Sequence, residues 1–315
     1  METIVEAVYV LNGGALDVEA STIVPGSDFG TRLRIPVQMF LLKTRLGYIL
    51  IDGGNDPDCI TDPEKTWGAD LAKAVVPHMS DDNHPYAQLA LLGLDPHDIK
   101  MVIYTHLHHD HCGSARFFPN AVHVVQKAEY RFAFYPERYA DRIYLRSDFG
   151  SENIRWQFAD GDWLILPGIQ LFATPGHTPG HQSVVLWNVP DCGTFIIAGD
   201  AVYCKENVRR DLPPGITTDA LEASRSLHRL TALAHATDGS LFVSHDAESF
   251  AAMPKAPHPL QALDVTSRRF YVDGERTLYG DGIISHFLPQ PVPAHESPAS
   301  RTPATSVILG PSAAP

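Results

Sequence analysis

The chain has 315 residues, 44% of them hydrophobic, and a formal net charge of -13. That is enough apolar material for a sizeable core, and one large domain is expected. Basic residues are not clustered, so the positive track needed by a nucleic-acid or anionic-membrane partner is missing.

The N-terminus, METIVEAVYVLNGG, carries two early glutamates and no basic n-region. No long apolar run follows it, so neither a signal peptide nor a membrane span is expected. Ile35 to Leu42 and Tyr48 to Asp52 read as strands joined by a hairpin that contains Gly47. Asp52-Gly53-Gly54 is a turn signal. Residues 55–85 are polar and irregular, Ala87 to Leu94 is helical, and Asp95-Pro96 breaks that helix. Met101 to Tyr104 is short and wholly apolar, the pattern of a buried strand. It runs directly into Thr105-His106-Leu107-His108-His109-Asp110-His111.

Ala121 to Gln126 is a further strand, and Lys127 to Phe134 opens a helix. Residues 130–160, crowded with aromatics and arginines, read as an insertion or lid rather than sheet. Ile169 to Ala173 and Ser183 to Trp187 are strands flanking the Thr174-Pro175-Gly176-His177 turn. Thr194 to Ala198 is a strand that stops at Gly199-Asp200. Asp219 to Ala236 is a long amphipathic helix, and Leu241 to Ser244 is a last strand that stops at His245. The expected domain spans 1–287, and a Pro/Ala/Ser-rich tail follows at 288–315. The fold class is α/β (or α+β), a two-sheet core with helices outside. The four cysteines, Cys59, Cys112, Cys192 and Cys204, form no CxxC pair and read as reduced thiols of a cytoplasmic protein.

Four places share one design, in which a buried strand ends and a His or Asp follows at once: the His106/His108/Asp110/His111 run, His177, Asp200 and His245. Open sheets gather their sites at such strand ends. His106 and His108 are two apart, so in extended chain both face one side and reach one metal ion. Asp110 and His111 follow on the turn, placed for a second ion. Buried and unpaired, these groups would carry a large desolvation cost, which metal binding relieves. His109 should point away from its neighbours, His181 is a weaker candidate than His177, and His123 and His228 read as ordinary core or surface residues.

His106-Leu107-His108-His109-Asp110-His111 resembles the HxHxDH motif of the metallo-β-lactamase superfamily. Thr174-Pro175-Gly176-His177-Thr178-Pro179-Gly180-His181 resembles that family's TPGHTPGH segment, and Gly199-Asp200 its GD. The resemblance runs from Asp52-Gly53-Gly54, in place of the commoner DTG, to Ser244-His245. It implies an αββα sandwich of two mixed sheets with helices on the outer faces. It further implies a dinuclear site: His106, His108 and His177 on one ion, Asp110, His111 and His245 on the other, and Asp200 bridging both. The ions are expected to be zinc, with iron, manganese or cobalt also suited to nitrogen and oxygen donors.

Asp200-Ala201-Val202-Tyr203, with Lys205-Glu206-Asn207 after it, is similar to the N-acyl homoserine lactonase branch, to which pyridoxolactonases are related. The implied activity is opening of a lactone ring, quorum quenching where the substrate is an acyl homoserine lactone. In that scheme a hydroxide bridging the ions attacks the carbonyl, Tyr203 steadies the oxyanion and Asp110 carries the proton. Alternatives are a pyridoxolactone or aryl lactone, or a thioester cut in the manner of glyoxalase II. The partner is a small-molecule lactone, and a homodimer through the N-terminal segment or the lid is consistent with the sequence. A structural zinc protein is disfavoured because such sites are closed and four-coordinate, often with cysteine ligands.

Overall fold

The structure is a computed structural model and describes residues 2–260. The expected tail at 288–315 lies outside them. Seven strands form one sheet: β1 (Val5–Glu19), β2 (Arg32–Thr44), β3 (Gly47–Ile51), β4 (Val76–His78), β5 (Ile99–Ile103), β6 (Val122–Gln126) and β7 (Arg155–Ala159), in the order β4-β1-β2-β3-β5-β6-β7. The other five are β8 (Trp163–Leu166), β9 (Ile169–Ala173), β10 (Gln182–Val189), β11 (Gly193–Ile197) and β12 (Ser240–Phe242), ordered β12-β11-β10-β9-β8.

The two sheets share a core. Val8, Val10, Phe40, Leu42, Ile51 and Val124 meet Leu171, Val184, Leu186, Phe195 and Phe242 in one buried cluster. Alternate residues of the same strands face outward. Met39 and Leu41 of β2 belong to a second cluster that includes Tyr104, Leu107 and Phe149. Val185 and Ile196 pack against Leu227, Leu230 and Ala234 of the helix Ala220–Thr237. Both faces of the central strands are therefore covered, which is why IPVQMFLL reads as a continuous apolar run instead of alternating. The expected two-sheet, helix-flanked sandwich is the observed one.

Three differences from the sequence reading have physical causes. β1, 15 residues long, was not anticipated. Its Asn12-Gly13-Gly14 triplet looks like a turn but is a bulge, where the register against β2 shifts between Asn12 and Ala15. Gly14 sits there at φ +93°, and a Cβ would lie 2.8 Å from the His78 carbonyl oxygen, so only glycine suits it. The segment read as lid is not all outside the sheet, because β7 pairs in parallel with β6 at the edge. Edge strands are half exposed and carry little periodic signal, as Arg155 and Gln157 illustrate. Third, the helix read as Ala87 to Leu94 is shorter, Pro85–Ala90, because the His84 side chain caps it and Pro85 starts it early, and Gly93 at φ +69° turns the chain soon after it ends.

β3, β5, β6 and β7 run parallel, as do β11 and β12. Parallel pairing puts their C-terminal ends along common edges, and the loops after β5, β11 and β12 carry all the candidate ligands but His177, which follows β9. Among the described residues, no helix is long and apolar enough to cross a membrane. All four cysteines are buried and none is in a disulfide.

Candidate metal centre

The seven expected ligands converge in two groups, one of His106, His108, His177 and Asp200, the other of Asp110, His111 and His245. Within each group the potential ligand atoms lie within 4.8 Å of one another, and every residue is buried. Asp200 faces both. Its Oδ2 is 3.6 Å from His106 Nε2 and 3.4 Å from His177 Nε2, while its Oδ1 is 3.2 Å from both His111 Nε2 and His245 Nε2. Asp110 Oδ2 stands 3.7 Å from the same two nitrogens of the second group.

The hydrogen bonds behind the rings show what the converging nitrogens carry. His177 Nδ1 donates to the Ile216 carbonyl at 2.7 Å and His245 Nδ1 to the Pro36 carbonyl at 2.9 Å. His111 Nδ1 donates to Asp52 Oδ2 at 2.8 Å. The Thr105 hydroxyl donates to that carboxylate, leaving its lone pair for His106 Nδ1 at 3.1 Å. With the proton on the outer nitrogen, His106 and His177 offer a bare lone pair inward, and His111 and His245 do so once a cation takes the place of the proton that Asp200 and Asp110 favour there. Yet His106 Nε2 and His177 Nε2 are 3.1 Å apart, and both lie within 3.0 Å of His108 Nδ1. Lone pairs gathered this closely repel unless a cation accepts them. The residues fit a metal ion in each group.

Charge differs between the groups. Burial pushes His106, His108 and His177 below the ordinary histidine value, and the neighbouring rings push His106 and His108 further. Burial acts the same way on His111 and His245, but Asp200 and Asp110, with Asp52 for His111, outweigh it and raise both. Burial works against ionisation of Asp110 and Asp200, and the adjacent imidazoles more than compensate, so both carboxyls lie below the usual range.

The profile of the metallo-beta-lactamase superfamily matches residues 33–245, a span that ends on His245. The chain belongs to this superfamily. It is 35% identical over 255 residues to an N-acyl homoserine lactonase AttM of Azorhizobium caulinodans, covering 79% of this chain and 96% of the relative. An N-acyl homoserine lactonase of Bacillus cereus is 30% identical over 244 residues, covering 78% of this chain and 94% of that one. A solved structure of an N-acyl homoserine lactone hydrolase, with the product N-hexanoyl-L-homoserine at its catalytic metal centre, superposes with a TM-score of 0.75 at 28% identity. It covers 82% of this chain and 100% of that one.

Other sequence expectations can be placed on this superfamily frame. Tyr203 is buried, with its ring 5.6 Å from that of His177 and 5.0 Å from that of His245. Burial first, then the Asp200 carboxylate that its hydroxyl bonds, raises its pKa, so the phenol keeps its proton. His109 turns away from the centre onto Trp67, ring centroids 4.5 Å apart. His181 bonds the Thr174 hydroxyl at 2.8 Å and accepts from the Asp200 amide at 2.9 Å, outside both groups.

Asp52 went unrecognised as part of the site. It accepts from the Thr105 amide and hydroxyl and from His111, tying the two ends of the run together with three bonds. Its signal was available, since it ends the buried strand β3 as the other site residues end theirs. The carbonyls of Ile216 and Pro36 left no such trace, because any residue type supplies a carbonyl.

Proposed function

We propose that the chain is a dinuclear metal-dependent lactonase whose substrate is an N-acyl homoserine lactone. The observation that carries this is Asp200, a single carboxylate with one oxygen toward each histidine group. The relatives add the substrate class. The lactonases of Azorhizobium caulinodans and Bacillus cereus align with this chain over almost their whole length.

In this reading His106, His108 and His177 hold one ion, Asp110, His111 and His245 the other, and Asp200 is shared. Zinc suits this nitrogen- and oxygen-only set. When bound, such ions supply Lewis acidity and bring a water's pKa close to neutrality. The chain's own groups do the rest. Tyr203, held protonated, donates to the substrate carbonyl oxygen as negative charge develops on it. Asp110, held ionised, takes the proton of the attacking water and delivers it to the ring oxygen as the acyl C–O bond breaks. Water is thereby added across the ester and the product is a hydroxy acid. Four buried thiols outside any disulfide fit a reducing compartment, the cytoplasm.

The test is a substrate panel read by acid release on a preparation whose metal content is measured. It contains acyl homoserine lactones of several chain lengths, a pyridoxine-derived lactone, an aryl lactone and a glutathione thioester. The expected result is the highest kcat/KM for an acyl homoserine lactone, with about two ions per chain. A metal-replete enzyme that opens no lactone, or that cuts the thioester faster, overturns the proposal.

A further inference from the structure

Beyond the converging side chains, one buried carboxylate touches both loops that carry the His106 group. Glu129 lies in the first turn of the helix Lys127–Phe134 and is fully buried. Its Oε1 accepts from the Leu107 amide at 3.0 Å and from the Tyr144 hydroxyl at 3.0 Å. Its Oε2 accepts from the Thr178 hydroxyl at 2.5 Å, and the Gly180 amide also donates to the carboxylate.

The location of these donors matters more than their number. Leu107 is the residue between His106 and His108, and Thr178 is the residue after His177. Tyr144 comes from the segment after the helix, and its ring stands edge-on to His108 with centroids 4.7 Å apart. One side chain therefore joins three stretches far apart in the chain, and the rings they carry point at one spot. The approach is tight, since a Cβ on Gly180 would lie 1.9 Å from the Glu129 amide nitrogen. A buried carboxylate without such donors would cost several kcal/mol, and an apolar side chain would fill the volume more cheaply. Glu129 bonds neither His245 nor Asp110 and His111 themselves, although these last two follow Leu107 in the same run.

We propose that Glu129 is the positioning residue of the His106–His108–His177 ion. It fixes the spacing of the two ligand loops and holds Tyr144 against His108. This rests on the two-ion reading above. It predicts an asymmetry: loss of the carboxylate loosens one ion and leaves the other alone.

The experiment is chelator competition on the fully loaded cobalt(II) enzyme, followed by its visible spectrum, for wild type and Glu129→Gln. In the variant one ion should leave at about 10- to 100-fold lower chelator concentration, as for other outer partners of metal ligands. The second ion should leave at the wild-type concentration. Should Glu129→Gln fail to fold, Thr178→Val and Tyr144→Phe each remove one donor, and each should loosen the same ion a few-fold. Wild-type release of both ions overturns the proposal, and so does equal loosening of both, which marks a general disturbance of the fold. A wild type that opens no lactone, beside a variant that loosens one ion, would sink the substrate reading and keep this one.

Discussion

His123 and the five histidines of the rim are all buried, yet their hydrogen bonds end in opposite states. His123 Nε2 donates to the Phe118 carbonyl at 3.2 Å, and its Nδ1 accepts from the Tyr104 hydroxyl at 3.0 Å. Both nitrogens are satisfied, Trp156 lies beside the ring, and nothing is left over for a ligand. In four of the rim rings, those of His106, His111, His177 and His245, one nitrogen is tied back and the other is aimed at a point it shares with its neighbours. Burial alone therefore does not mark a metal ligand. A surplus lone pair does, because a neutral imidazole with its proton committed elsewhere gains little from a dry pocket unless a cation sits there.

The comparison breaks most visibly at Asp200. Asp200→Ala removes the one carboxylate of the His106 group and one of the two facing His111 and His245. We expect at least one ion to be lost and activity to fall by about a thousandfold or more, checked by metal analysis and kcat/KM on the same sample. Retention of both ions with full turnover would mean that the lone pairs are satisfied in some other way.

Tyr203→Phe asks the next question, whether a group at the rim can matter without holding metal. Removing one donor to a developing oxyanion costs about 10²- to 10³-fold in kcat. Metal content should not change, and loss of an ion in this variant would make Tyr203 structural instead. Asp52→Asn is gentler still. It weakens the tie that orients His111 and removes a charge that raises that ring. An outer partner of this kind is worth about 10- to 100-fold in metal affinity. The loss should fall on the ion of the second group, the mirror image of the asymmetry expected for Glu129.

Much of this site was legible in the sequence because its residues stand directly after apolar strands. Met101 to Tyr104 and the histidines after it announce a buried edge with chemistry on it, and Asp200 and His245 repeat the pattern. The strands of the core were legible for the same reason. β1 was not, because a glycine bulge and a turn are spelled alike. Glu129 was not, because a glutamate in the first turn of a helix ordinarily favours the helix dipole from solvent, and only the tertiary fold turns it inward. Two of the four groups that fix the ring tautomers are backbone carbonyls, which residue identity does not encode.

The smallest effect belongs to His123, and it tests the other half of the comparison. Burial, partly offset by the Phe118 carbonyl and reinforced by Arg155, lowers its pKa from 6.5 to about 4. The unfolded chain therefore binds a proton between those values that the folded chain refuses. Stability contributed by this ring is level above pH 6.5 and falls as the pH drops toward 4. The loss should be about 2 kcal/mol by about pH 5. Urea unfolding of the wild type and His123→Gln at neutral and mildly acid pH isolates it, since glutamine cannot take up the proton. The wild type should lose more stability than the variant on acidification, and at neutral pH the variant should keep its metal and its turnover. Identical pH dependence in the two proteins would show that His123 titrates as an ordinary exposed histidine. The distinction between a ring with both nitrogens satisfied and a ring with one to spare would then lose its core example.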